Sequence, residues 1–122
     1  MGYETKMFLV ECHEQMKENG AAYCSPIAEI ELCKIGYYGA LAKLDACRPS
    51  KPLAYIYSID GNTRVTEDRY GKNLGFYDVE EVLTAMKTDN ETENYRRFGV
   101  GIAVLEAAIG KFENLKVLFF GH

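Results

Sequence analysis

The sequence predicts an α+β fold, in which two consecutive helices pack on an antiparallel-rich sheet. Three observations support this prediction. Two β-branched and aromatic segments flank Asp60-Gly61, which is the pattern of a β-hairpin at about 53–68. Two stretches at about 78–88 and 91–112 have apolar residues three and four positions apart, as helices do. The apolar run LKVLFF then predicts a short C-terminal strand.

The N-terminal part of the chain gives weaker signals. The residues around Met7–Val10 fit either a helix or a strand near 6–12, and we expect the strand, followed by a turn. Apolar residues alternate with glutamates at 27–35, which predicts a second strand. Residues 39–47 have the composition of a helix, which the following prolines end because proline cannot continue the helical hydrogen bonds.

The hairpin at about 53–68 is the clearest local prediction. The segment LAYIYSI has strand composition, and Asp60-Gly61 tolerates the positive φ angles of a tight turn. The segment TRVTED then returns as the second strand. The glycine-containing stretch RYGKNLGFY, which follows, is expected to be an ordered loop.

The two predicted helices each begin with a start signal. Asp78 and Glu81 precede the apolar face of the first helix, and Asn90 and Glu93 repeat this pattern before the second. The apolar stripe of the second helix is spaced four, three, four and three residues apart, which predicts that it packs on the sheet. It consists of Phe98, Ile102, Leu105, Ile109 and Phe112.

The second helix is also rich in small residues. Each glycine inside a helix costs roughly 1 kcal/mol relative to alanine, so close packing against another backbone is expected to offset that cost. We therefore expect a second layer or another subunit on this face and predict a homo-oligomer. The predicted interface residues are Gly99, Ala103, Ala107 and Gly110.

Length and composition favour one globular domain, residues 1–122, with 48% apolar residues for its core. The net charge is −4, which argues against binding to duplex nucleic acid. Residues 43–72, with six basic and four acidic residues, carry +2, so a small anion could bind there. No apolar run approaches the ~20 residues of a membrane span, and no signal peptide is evident, which predicts a cytoplasmic protein.

Catalytic and metal motifs are not evident in the sequence. The four cysteines lie 9 to 14 residues apart without a C-x-x-C pair, so we expect reduced thiols and predict no metal and no cofactor. His13 directly follows Cys12, and His122 at the end of the chain is expected to be mobile. Neither histidine is well placed to activate a cysteine nucleophile.

Binding residues are indicated where arginines occur near aromatic rings. Arg96 and Arg97 lie in the first turn of a predicted helix, where the helix dipole disfavours cations unless an anion is present. Arginine beside an aromatic ring is a common way to grip a base and its phosphate. The predicted ligand-binding residues are Arg64, Arg69, Tyr70, Lys72, Asn73, Phe76, Arg96 and Arg97.

Each of these indications has a structural alternative. Glu91, Glu93 or Glu106 could pair with the two helix arginines. Tyr55 and Tyr57 could simply form the cross-strand face of a hairpin with a charged solvent edge.

The sequence thus predicts a non-catalytic module that binds or sequesters a small anionic, nucleotide-like ligand as a homo-oligomer. One alternative is an inhibitor or adaptor protein that binds a basic partner protein through its acidic surface. A further alternative is a hydrolase that uses a pair of its carboxylates.

Overall fold

A computed structural model describes residues 4–36, 38–93 and 96–122 and confirms the α+β fold. A mixed, mostly antiparallel sheet carries two consecutive helices, and the chain then returns to the sheet as a last strand. The elements in chain order are β1 (Thr5–Glu18), β2 (Ala21–Cys33), α1 (Ala40–Ala46), β3 (Ala54–Tyr57), β4 (Arg64–Val65), β5 (Tyr77–Asp78), α2 (Val79–Glu93), α3 (Arg96–Ala108) and β6 (Leu115–Gly121).

The sheet has six strands in the order β4-β3-β2-β1-β6-β5. Its neighbours are antiparallel except for β2 and β3, which are parallel and are connected through α1. The predicted C-terminal strand is β6, which lies between β1 and β5. Within the described part of the chain, no helix is both long enough and apolar enough to span a bilayer.

The hairpin of β1 and β2 is longer than the sequence predicted. The turn between them consists of Asn19 and Gly20, with φ of 52° and 85°. Positive φ at both residues is what a two-residue type I′ turn requires, and Asn-Gly is its commonest sequence. The strands predicted at 6–12 and 27–35 are therefore parts of this one hairpin.

The predicted hairpin at 53–68 is present as β3 and β4. Ile56 pairs with Val65, and Tyr57 pairs with Arg64. The connection is a six-residue loop rather than a tight two-residue turn. In this loop Gly61 has a φ of 75°, and the Asp60 carboxylate accepts hydrogen bonds from the Ser58 hydroxyl and the Asn62 N–H.

The two faces of the sheet are covered differently. Met7 and Leu9 of β1 face the three helices, while Phe8 and Val10 face the opposite side, as strand alternation requires. On that opposite side the cover is loop 66–76, whose Leu74 is fully buried against the sheet. Because this loop is short, part of the second face stays open.

Helix α3 packs on the sheet along a line that differs from the predicted stripe. Phe98 and Leu105 are buried as predicted, but Ile109 and Phe112 are exposed. The buried line is completed by Gly101 and Ala108. The helix ends at Ala108, so the last two predicted positions fall beyond it. The start of the second helix predicted at 91 falls inside α2, and residues 94–95 lie outside the described part.

Candidate functional site

The open part of the second sheet face forms a groove of about 740 Å³. Phe8 of β1, Phe120 of β6 and Ile56 of β3 form its floor, and loop 58–60 forms one wall. The Phe8 and Phe120 rings meet edge to face, with centroids 6.0 Å apart. The volume lies within the range of about 300–1,000 Å³ that is usual for small-molecule sites, and the floor is apolar as such sites are.

Two basic side chains line this groove. The Lys6 ammonium lies 5.7 Å from the centroid of the Phe8 ring and 5.6 Å from that of Phe120, which are cation–π distances. It also pairs with the Glu29 carboxylate at 2.8 Å. Arg69 is exposed, and among the described residues its guanidinium has no ion-pair or hydrogen-bond partner. The groove therefore combines an apolar floor with an unpaired cation.

The backbone of Arg69 is held by the neighbouring Asp68. The Asp68 side chain is fully buried, and its Oδ1 accepts hydrogen bonds from the N–H groups of Tyr70 at 2.9 Å and Lys72 at 3.0 Å. Its Oδ2 accepts a hydrogen bond from the Gly121 N–H at 3.1 Å, and the Arg69 N–H donates to the Gly121 carbonyl at 3.0 Å. These bonds fasten loop 66–76 to the end of β6.

Arg48 compensates the buried charge of Asp68. Its guanidinium lies 3.1 Å from the Asp68 carboxylate and 2.8 Å from the Asp45 carboxylate, and it also donates to the Asn73 carbonyl at 3.2 Å. A buried carboxylate is costly without such partners. The network links the end of α1 to loop 66–76, and its role is to fix that loop over the sheet.

A second polar and aromatic surface lies near the tip of the β1–β2 hairpin. The His13 and Tyr23 rings stack with centroids 5.4 Å apart, and Tyr23 also contacts Tyr55 and Tyr57. Arg64 lies over the Tyr55 ring and pairs with Glu18 at 2.7 Å. Because these rings pack on one another and the arginine is neutralised, this surface offers less to a free anion than the groove does.

The buried cysteines show no sign of nucleophilic activation. Burial raises the pKa of Cys24, and the nearby Cys12 raises it further. Burial also raises the pKa of Cys12, against a smaller opposing effect of the hydrogen bond with Cys24. Both thiols are therefore uncharged at neutral pH, whereas nucleophilic cysteines have a lowered pKa.

The structure distributes the predicted ligand residues over several surfaces. All eight are described, and only Arg69 lines the groove. Phe76 packs against the core of the second face, the Tyr70 hydroxyl donates to the His122 carbonyl, and the Asn73 side chain donates to the Pro49 carbonyl. Lys72 is exposed in the same loop.

The remaining predicted residues lie elsewhere. Arg64 belongs to the surface with Glu18 and Tyr55 described above. Arg97 donates to the Glu31 backbone carbonyl at 3.0 Å, and Arg96 is exposed. Of the acids suggested as their partners, Glu106 instead pairs with Lys87 at 3.1 Å, and the side chain of Glu93 lies outside what the structure describes.

The predicted oligomer interface is exposed in the single chain. Gly99, Ala103, Ala107 and Gly110 are all accessible, together with Val100, which is 58% exposed. A Cβ atom added at Gly99 would meet nothing within 4 Å. Close packing inside the chain therefore does not explain this glycine, and the small-residue face is free to contact another subunit.

Sequence reasoning missed the groove residues Lys6, Phe8 and Phe120. The available signal was strand alternation: if Met7 and Leu9 face the helices, Lys6 and Phe8 must face the other side. The same argument places Phe120 opposite Phe119. What the sequence did not contain was the pairing of β1 with β6, which brings the two rings together.

Comparisons of the chain with protein-family models, with curated proteins and with solved structures found no match.

Proposed function

We propose that this protein is a non-catalytic module that binds a small anionic, nucleotide-like ligand in the groove on the open sheet face. The observation that carries the proposal is the unpaired Arg69 guanidinium beside an apolar floor of Phe8 and Phe120. A flat ring can pack on that floor, while an anionic group pairs with the guanidinium.

Lys6 supplies a second cation for the same ligand. Its present partner, Glu29, is about half exposed, so the ion pair is partly solvated and contributes little to stability. A phosphate group can therefore replace Glu29 as the partner of the Lys6 ammonium at a small cost in free energy. Arginine binds phosphate through two parallel hydrogen bonds, and lysine adds a point charge. A ligand with a flat ring and one or two phosphates can pack its ring on the apolar floor and pair its phosphates with Lys6 and Arg69.

The backbone under Arg69 makes the site partly preorganised. Asp68 and Gly121 hold the main chain on either side of the arginine, so binding needs to order its side chain alone. The proposed function is binding or sequestration. The groove wall does contain a hydroxyl beside a carboxylate, since Ser58 donates a hydrogen bond to Asp60. That hydrogen bond lowers the pKa of Asp60, which makes the carboxylate a weaker base for activating a nucleophile.

We also propose that the protein acts as a homo-oligomer through the exposed face of α3. Ala103 and Ala107 permit close approach of a second helix, and Val100 adds an exposed apolar contact. Replacement of Val100 by aspartate should shift a dimer or larger assembly toward monomer, as measured by native mass spectrometry. A wild-type protein that is monomeric at high micromolar concentration contradicts the oligomer but not the ligand site.

Isothermal titration calorimetry with nucleoside mono-, di- and triphosphates, the parent nucleosides and inorganic phosphate tests the ligand proposal. Nucleotides should bind more tightly than either fragment. The Arg69→Ala variant should weaken binding by about tenfold or more, since a hydrogen bond to a charged group contributes about 1.5–3 kcal/mol.

Arg96→Ala is the matched control, because Arg96 is also exposed and was also predicted from sequence as a ligand residue. Weaker binding in Arg69→Ala together with unchanged binding in Arg96→Ala supports the site at the groove. Loss of binding in Arg96→Ala with retention in Arg69→Ala moves the site to the start of α3 and refutes the groove. No binding of any phosphorylated compound refutes the ligand class.

A further inference from the structure

We propose that Glu4, Glu31 and His122 form a binding site for a divalent transition-metal ion. The three residues come from neighbouring strands: Glu4 precedes β1, Glu31 lies on β2, and His122 follows β6. One carboxylate oxygen from each glutamate and one ring nitrogen of His122 all lie within 4.8 Å of one another. The proposal does not depend on the nucleotide site.

The backbone of His122 is held in place, contrary to the mobility expected from sequence. Its N–H donates to the Glu4 carbonyl at 2.8 Å, and its carbonyl accepts a hydrogen bond from the Tyr70 hydroxyl at 2.9 Å. The preceding Gly121 is bonded to Asp68 and Arg69, as described above. The imidazole is therefore presented from a fixed main chain rather than from a loose end.

The ring nitrogen of His122 has a close carboxylate neighbour without a hydrogen bond to it. Nε2 lies 2.5 Å from Glu31 Oε1 but forms no hydrogen bond with it. The nitrogen is also shielded from solvent, and among the described residues it has no hydrogen-bond partner. A buried nitrogen left in this condition is costly, and an ion shared with the two carboxylates would satisfy it.

The Glu31 carboxylate is oriented by a second contact. Its Oε2 accepts a hydrogen bond from the Cys33 N–H at 3.0 Å, which leaves Oε1 directed toward His122. Metal ligands are commonly fixed by such outer hydrogen bonds, whose loss weakens metal binding. Cys33 has a φ of 60°, so the chain turns at this residue and brings its N–H back to the glutamate.

The donor set indicates the class of ion. One imidazole and two carboxylates suit Zn²⁺, Mn²⁺ and similar ions, whereas Ca²⁺ and Mg²⁺ prefer oxygen donors alone. Donors about 2.1 Å from a common ion are separated by at most ~4.2 Å. The three donor atoms lie within 4.8 Å of one another, and His122 Nε2 and Glu31 Oε1 are only 2.5 Å apart. Side-chain shifts that separate this close pair to about 3 Å and bring the Glu4 oxygen nearer would place all three on one ion. Three protein ligands leave coordination positions open for water or a ligand.

The site lies on the same sheet face as the groove. Glu4 and Lys6 are two residues apart along the chain, as are His122 and Phe120, so each pair faces the same side. Two residues of strand span about 7 Å. An ion bound here would therefore add positive charge next to the groove.

Titration with Mn²⁺, followed by the loss of its free-ion paramagnetic resonance signal, tests this site with a probe that thiols bind poorly. Calorimetry with Zn²⁺ in a Cys33→Ser, Cys47→Ser background gives a second measurement without the two cysteines that are not buried. We expect one ion per chain, with Zn²⁺ bound more tightly than Mn²⁺. His122→Ala and Glu31→Gln should each weaken binding by about tenfold or more.

His13→Ala is the matched control. His13 is a similarly exposed histidine, and its Nε2 lies 4.0 Å from the Glu11 carboxylate. Its replacement should leave metal affinity unchanged. The proposal is overturned if neither ion binds stoichiometrically, if His122→Ala retains wild-type affinity, or if both histidine variants lose affinity equally. Thermal melting of each variant without metal checks that the fold is intact. If His122→Ala unfolds, Glu31→Gln still tests the site, because glutamine keeps an acceptor for the Cys33 N–H.

Discussion

The Asp68 carboxylate lies 3.1 Å from the Arg48 guanidinium, and the two side chains are 0% and 7% exposed. This buried ion pair joins the chain after α1 to the loop that covers the second sheet face. The Asp68 carboxylate also accepts a hydrogen bond from the Gly121 N–H, so three distant segments of the chain meet at this carboxylate. The stability of that loop, and of the groove beside it, depends on this pair.

Replacement of Arg48 by methionine should destabilise the protein strongly. It leaves the buried carboxylates of Asp45 and Asp68 without their cation, and breaking a buried pair typically costs about 3–5 kcal/mol. Urea denaturation measures the change in the free energy of unfolding. Lys87→Met, which removes an exposed pair with Glu106, is the control and should cost about 0–1 kcal/mol. Equal losses in the two variants would contradict a structural role for Arg48.

The two glycines inside α3 should respond differently to replacement by alanine. Gly99 faces open space, so Gly99→Ala should stabilise the single chain by up to about 1 kcal/mol through helix propensity. A Cβ at Gly101 would lie 2.5 Å from the Met86 Cε atom, so Gly101→Ala must displace that methionine and should gain less or lose stability. Thermal unfolding at low protein concentration compares them. A larger gain for Gly101→Ala would refute the observed packing of α3 on α2.

The type I′ turn should be sensitive to replacement of its glycine. Gly20 has a φ of 85° and no atom within 4 Å of an added Cβ, so the cost of Gly20→Ala comes from the backbone conformation, about 1–2 kcal/mol. Gly20→Asn should recover part of this loss, because asparagine tolerates positive φ better. Urea midpoints of the two variants give the comparison. Identical stabilities for alanine and asparagine would argue against the positive φ.

Tyr77 should contribute to the loss of stability in alkaline solution. Burial raises its pKa to about 12 from 10, so the unfolded chain loses this proton at lower pH than the folded chain does. Its contribution is complete below pH 10 and is lost as the pH rises through 12. In Tyr77→Phe the melting temperature should therefore fall less steeply between pH 10 and 12. Tyr38→Phe, at a 90% exposed tyrosine, should keep the wild-type slope.

The elements with strong local signals could be predicted from sequence. The periodic apolar residues of α2 and α3, the hairpin of β3 and β4, and the apolar strand β6 are all present. The predicted boundaries were less accurate than the elements themselves. The helix predicted to end at about 112 ends at Ala108, and Gly110 follows with a φ of 84°. The missed β1–β2 turn carried a local signal, since Asn19-Gly20 is the typical sequence of a type I′ turn.

The candidate sites depend on contacts that one sequence does not contain. Arg48 and Asp68 are twenty positions apart, and neither position has a pattern that predicts burial of a charge. Glu31 and His122 meet because β1 lies between β2 and β6, which follows from the topology of the whole sheet. Arginines near aromatic residues could be identified from sequence, but which sheet face each occupies could not.

The pairing of β1 with β6 has a consequence for synthesis on the ribosome. Phe8 of β1 can pair with Leu118 of β6 only after Leu118, 110 positions later, has emerged, whereas the β1–β2 hairpin can form early. Until then one edge of the nascent hairpin stays unpaired, with apolar side chains on both faces. Chains that stall before Leu115 should therefore be prone to edge-to-edge aggregation and depend on chaperones.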